Sequence, residues 1–154
     1  MQAMSNEIRL TARLVDSLYV EAMVLADEVR AYFDEHGRAD REALPPLQRV
    51  AFSCESLKVT TRLMHVIAWL LTRRAVEHGE ISVAHARTSA RRLGIAADSD
   101  LETLTILPQP ARNLIEASRD LYSRVERLDQ DIDRPTVPVP SPALGLLHRL
   151  ERAF

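Results

Sequence analysis

Between Leu44 and Glu80 the chain reads LPPLQRVAFSCESLKVTTRLMHVIAWLLTRRAVEHGE, and apolar or small residues recur along it at Leu47, Val50, Cys54, Leu57, Thr61, Met64, Ala68, Leu71 and Ala75. Steps of three and four alternate without interruption, which winds one seam along a single side of an α-helix. A second series, Phe52, Val59, Leu63, Val66 and Leu70 with Ile67 beside it, falls on another side. A helix apolar on two sides cannot satisfy both against one neighbour, so it is expected to lie centrally with helices on its flanks. Pro45 and Pro46 suit its first turn, where backbone N–H groups have no intrahelical partner, and Gly79 is placed to end it. Such a rod is roughly 50 Å long, and a chain of 154 residues organised around it is read as one folded unit.

The segments on either side carry the same period. Ile8, Val15, Leu18, Ala22, Leu25, Val29 and Tyr32 predict a first helix from near Asn6 to about Glu35, capped by Ser5 or Asn6. Ala111, Leu114, Ser118, Leu121, Val125, Leu128 and Ile132 predict another, introduced by Pro108 and Pro110. Between them Ser82 opens a short helix over 83–93 that Gly94 stops, expected to pack across one end, and the Asp98-Ser99-Asp100 run offers a cap for one more turn carrying Leu101 and Leu104. Only 4 glycines, 5% aromatics and 46% hydrophobic residues suit helices of Leu, Ala and Val rather than a sheet. The fold expected is all-α: an up-down-up three-helix bundle of long helices with one short helix and a Pro-rich C-terminal tail. Residues 1–133 form the bundle, and 134–154 form the tail, where prolines 135, 138, 140 and 142 block regular structure before a short amphipathic segment resumes at Leu144, Leu147, Leu150 and Phe154. That segment is either a docked last turn or a peptide offered to a partner.

Chemistry is harder to find. Cys54 lies on the central seam and is expected to be a buried structural thiol. His65 invites a phosphotransfer reading, but Leu63, Met64 and Val66 surround it, and a partly buried packing histidine fits better. His78 and His85 lack a third nearby ligand, and no metal, glycine-rich phosphate loop or nucleophile motif is readable, so neither cofactor nor enzyme is expected. The longest apolar run, Leu63 to Leu71, is fenced by Arg62 and Arg73-Arg74 and falls well short of the ~20 residues a membrane span needs. Without a readable signal peptide in MQAMSNEIRLTARL, the expected location is cytoplasmic.

Charge is uneven along the chain. Lys58 to Arg92 holds seven basic residues against Glu77 and Glu80, whereas Asp98 to Asp133 holds nine acidic residues against four arginines. These faces can neutralise each other inside the bundle, or Arg73, Arg74, Arg91 and Arg92 can form a basic end that receives an acidic partner. The net charge of −2 argues against a chain held on nucleic acid by overall basicity. A DNA-associated regulator using Arg87, Arg91 and Arg92 on the 83–93 helix is the alternative, although a long rod is not the usual lead-in to a recognition helix.

The block GRADREALPPLQRVAFSCESLKVTTRLMHVIAWLLTRRAVEHGEIS, residues 37 to 82, is distinctive. It joins Gly37-Arg38 and Arg41 to Glu55, Thr60-Thr61-Arg62-Leu63-Met64, Trp69-Leu70-Leu71, Arg74-Ala75-Val76 and Gly79-Glu80. With the looser segment LPQPARNLIEASRDLYSRVERLD at 107–129, it resembles the regulator of CtrA degradation (RcdA) family, over about residues 15–130. The resemblance implies a helical-bundle homodimer that acts as a non-enzymatic proteolytic adaptor. It would help deliver cell-cycle regulators, such as the response regulator CtrA, to the ClpXP protease, together with a response-regulator adaptor and a cyclic-di-GMP-binding adaptor. The second apolar face of the central helix supplies a surface for dimerising, and Leu144, Leu147, Leu150 and Phe154 are the tail residues placed to engage a partner.

Overall fold

The structure, a computed structural model, describes residues 2–132 and 142–153, with side chains from Thr11 to Ile132 and, apart from Leu144, over 142–153. The Pro-rich stretch before Pro142, Phe154, and the side chains of Ile8 and Leu144 therefore lie outside the described residues. The elements are helical throughout: α1 (Gln2–Ala31), α2 (Arg38–Glu42), α3 (Pro46–Glu77), α4 (Val83–Ala86), α5 (Leu101–Thr105), α6 (Gln109–Asp131) and α7 (Pro142–Ala153). A π-helical turn at Tyr32–His36 continues α1, and a single 3-10 turn spans Ser89–Arg91. The all-α bundle of three long helices is thus as expected. α1 begins ahead of Ser5 and Asn6, which lie inside the helix rather than capping it.

The expected stripes on α1 and α6 form the core: Val15, Leu18, Ala22, Leu25 and Val29 on one, Ala111, Ser118, Leu121 and Val125 on the other, joined by Ile115. α3 meets both with Phe52, Val59, Leu63, Val66 and Leu70. Phe33 sits against Phe52 and Tyr32 with ring centroids 5.2 and 5.1 Å away, closing one end of this core. The loop beyond it needs a glycine: the Gly37 N–H donates to the Tyr32 carbonyl, and a Cβ there would stand 2.7 Å from that oxygen. At the other end Gly79 takes φ +74, and the Gly79 and Glu80 N–H groups donate to the carbonyls of Val76 and Ala75. That is a Schellman stop, the left-handed turn a glycine makes without strain.

The direction of the third long helix departs from expectation. Asp16 on α1 pairs with Arg74 and Tyr32 packs near Phe52, so α1 and α3 are antiparallel. Arg62 and Trp69 on α3 instead bond Ser118 and Asp129 on α6, in ascending order on both helices, so these two run parallel. Glu21 pairs with Arg124 while Leu14 lies near Leu128 and Ile132, which makes α1 and α6 antiparallel. The bundle is therefore up-down-down. Parallel neighbours need a long return, and the chain from Ile81 to Ser99 supplies it. It does not pack across an end as expected; it runs back along the bundle, meeting Asp129 at Arg92, His65 and Tyr122 at Gly94, and Arg62 at Ala97 and Ser99. The helix expected over 83–93 is accordingly cut to α4, capped by Ser82 through the His85 N–H, and the separate 3-10 turn. Asp100 caps α5 through the Glu102 N–H at 3.1 Å, as expected, with Leu104 buried and Leu101 exposed.

Candidate functional site

α3 has two apolar sides, and the structure divides them unequally. The interior side carries the second series together with Glu55, Arg62 and Trp69, which recur every seven residues among the core aliphatics. The uninterrupted seam faces outward. Leu47 is 85% exposed, Leu57 68% and Met64 65%, with Val50, Cys54, Thr61, Ala68 and Leu71 exposed along the same line. Cys54 is therefore not a buried thiol: it is exposed on this outward face. On the α1 side this ridge borders a groove of about 360 Å³ that includes Ala26, Phe33, Met64 and Ile67. On the other side, a groove of about 770 Å³ lies between the C-terminal half of α3 and the returning segment.

Behind the ridge, charged groups hold that segment in place. The Arg62 guanidinium, 2% exposed, donates to Ser118 Oγ at 3.2 Å, the Ala97 carbonyl at 3.0 Å and Ser99 Oγ at 2.6 Å. Ser99 in turn donates to the Glu55 carboxylate, whose other oxygen pairs with Lys58 at 3.0 Å. Burial lowers the proton affinity of Arg62, while Glu55 and Asp98 act to raise it. Asp98 accepts from Arg119 at 2.7 Å, a charge-assisted bond that holds its carboxyl below the ordinary range. Higher on the bundle, Asp129 Oδ1 accepts from both Trp69 Nε1 and Arg92 Nε at 2.8 Å. Tyr122 donates to the Gly94 carbonyl at 2.7 Å, and a Cβ on Gly94 would fall 2.2 Å from His65 Nδ1, so only glycine fits beside that ring as it stands. These buried polar groups satisfy one another across three parts of the chain, beside a cavity of about 300 Å³ that Arg62, Asp98, Arg119 and Tyr122 help to line.

The four arginines singled out in the sequence do not form a single patch. Arg73 lies over the Trp69 ring at 5.7 Å, within electrostatic reach of Arg87 and Arg92. Arg74 turns toward α1, lying over Tyr19 at 4.7 Å and pairing with Asp16 at 3.5 Å. Arg92 is tied to Asp129, and Arg91 is exposed. Leu147 and Leu150 are exposed on α7, as are the other described side chains of that helix. The network of Glu55, Arg62, Ser99, Ser118 and Asp129 was not anticipated. Its signal was the seven-residue step from Glu55 to Arg62 to Trp69, which places two charges in register with a core tryptophan. Among the described residues no helix is long and apolar enough to cross a membrane.

Comparison with known proteins places the chain beside a family and a solved structure. A family described as "Protein of unknown function (DUF1465)" matches residues 6–154. The crystal structure of RcdA from Caulobacter crescentus CB15 is similar with a TM-score of 0.64 and 35% sequence identity, over 77% of this chain and 90% of that one. No curated protein sequence matches.

Proposed function

From the premise that the chain belongs to the DUF1465 family, with RcdA-like proteins as its structural relatives, we propose that it is a cytoplasmic, non-enzymatic adaptor for regulated proteolysis. It pairs with a second copy of itself and helps bring cell-cycle regulators, response regulators such as CtrA among them, to the ClpXP protease. A response-regulator adaptor and a cyclic-di-GMP-binding adaptor are the expected co-factors of delivery in the sense of protein partners. The observation that carries this reading is the apolar ridge of α3, which repeats at coiled-coil spacing and stays exposed from Leu47 to Met64. An adaptor acts by raising local concentration, so it needs surfaces and a tether, and the ridge and α7 supply both.

Pairing is assigned to the part of the ridge centred on Leu57. Two helices that cross steeply, at roughly 50°, diverge within a few turns, so such a contact leaves the C-terminal end of the ridge open. The test is affinity capture from native extract on the full-length protein, with captured proteins identified by mass spectrometry. ClpX, ClpP and a response regulator retained by the natural chain support the adaptor reading. Retention lost on changing Leu147→Asp and Leu150→Asp places the contact on α7, whereas retention by that variant places it on the bundle. Failure to retain any protease component under conditions that hold the dimer refutes delivery to ClpXP.

A further inference from the structure

The groove beside the C-terminal half of α3 has a composition that specifies what it takes. Its floor is apolar, with Ala68, Leu71 and Ala75 on one wall and Ile81 and Leu93 on the other. At its mouth Ile95 is 94% exposed, an aliphatic side chain held in water by a backbone that is itself fixed through Gly94. The charged or titratable groups that line it are His65, Arg91 and Arg92, and no acidic residue is among its lining residues. Arg92 already belongs to Asp129, but Arg91 makes no ion pair among the described residues and projects from the 3-10 turn at the rim. Arg87, also exposed, extends the positive field toward Arg73.

We propose that this groove docks an acidic amphipathic segment of a partner protein, whose aliphatic side chains enter between Leu71 and Ile95 and whose carboxylates meet Arg91. The volume of about 770 Å³ accommodates a few side chains rather than a folded domain, which favours a helix or short peptide. The complementary charge steers the encounter, and the apolar floor holds the complex. The site lies beyond the Leu57-centred pairing surface, so one dimer offers it twice. The proposal deepens the adaptor reading and rests on it, since the docked segment would belong to a delivered protein or a co-adaptor.

The test is a display selection of random peptides of helical length on the immobilised full-length chain, followed by fluorescence anisotropy of the fluorescein-labelled winner. The expected winners combine Leu, Ile, Met or Phe at three- and four-residue steps with flanking Glu and Asp. Their affinity should fall roughly tenfold or more on Arg91→Glu and on Ile95→Asp, both exposed positions, and should survive Leu57→Asp. Winners without acidic bias, equal binding to the Arg91→Glu and Ile95→Asp variants, or displacement of the peptide by duplex DNA would each overturn the assignment. Putting the same two variants through the affinity capture separates the readings. Protease retained by both variants, with peptide binding intact, removes the groove and leaves the adaptor role standing.

Discussion

Arg62 and Glu55 show how a charged residue can be a core residue. Each is 2% exposed, and together with Ser99 and Ser118 they fill space that aliphatic side chains occupy on either side. Removing one member strands the other, so Arg62→Ala should cost about 3–5 kcal/mol in urea unfolding. A paired replacement, Arg62→Met with Glu55→Leu, should cost clearly less than the sum of the single changes, because no buried charge is left alone. Additivity in that cycle would show that the network is not coupled. Tyr32 supplies the pH dependence at this scale. Its hydroxyl donates to Asp40 Oδ2 at 2.8 Å, and burial with that carboxylate raises its pKa above the ordinary tyrosine value of 10.0. The folded state then retains the phenolic proton more tightly than the unfolded chain. Stability from this group is fully present below pH 10 and is lost as pH rises toward the higher folded value. Tyr32→Phe should flatten that alkaline limb, measured as thermal midpoint against pH.

Among the elements, α1 and α6 were legible because each carries one apolar stripe. Val15 through Val29 and Ala111 through Val125 go where their periodicity sends them. α3 was only half legible. The seam from Leu47 to Leu71 is the longer and cleaner of its two series, yet it is the shorter one, interrupted by Glu55 and Arg62, that meets both neighbours. Periodicity identifies a face but not its neighbour, and charge in the true core disguised it. The two faces should respond oppositely to substitution. Leu70→Ala, at a fully buried site, should lose about 2–5 kcal/mol. Leu57→Asp, 68% exposed, should leave the unfolding midpoint of the protomer within about 0.5 kcal/mol while shifting sedimentation from dimer to monomer. A dimer that persists through Leu57→Asp would move the pairing surface elsewhere. The arginines are a similar case: their number was readable, but Arg74 and Arg92 find Asp16 and Asp129 only because the fold brings those elements together.

For the molecule as a whole, the parallel course of α3 and α6 is the property that local patterns could not announce. Helices of matching period and compact connections suggest alternation, and the return segment, whose apolar residues are mostly alanines, gives little sign that it travels the length of the bundle. Its grip is mainly polar, through Arg62, Asp129, Tyr122 and Ser99. Replacing residues 79–107 by a short Gly-Ser loop should therefore prevent native assembly. The start of α6 would have to be reached from the end of α3 across roughly 40 Å, which about five extended residues cannot span. The expected outcome is loss of the cooperative thermal transition and of the Trp69 fluorescence signature of the native core. A cooperative transition with native fluorescence would show that the return path is dispensable.

The same topology fixes where force enters the molecule. Leu14, midway along α1, and Ile132 just past the end of α6 share one cleft, so the N-terminal half of α1 and the C-terminal end of α6 point toward the same pole. A pull applied between the two ends would part α1 from α6 one turn at a time, like a zipper, instead of loading all their contacts at once in shear. With α1 held at its N-terminal side, a pull on the C-terminal end of α6 would therefore meet the bundle in its mechanically weaker direction.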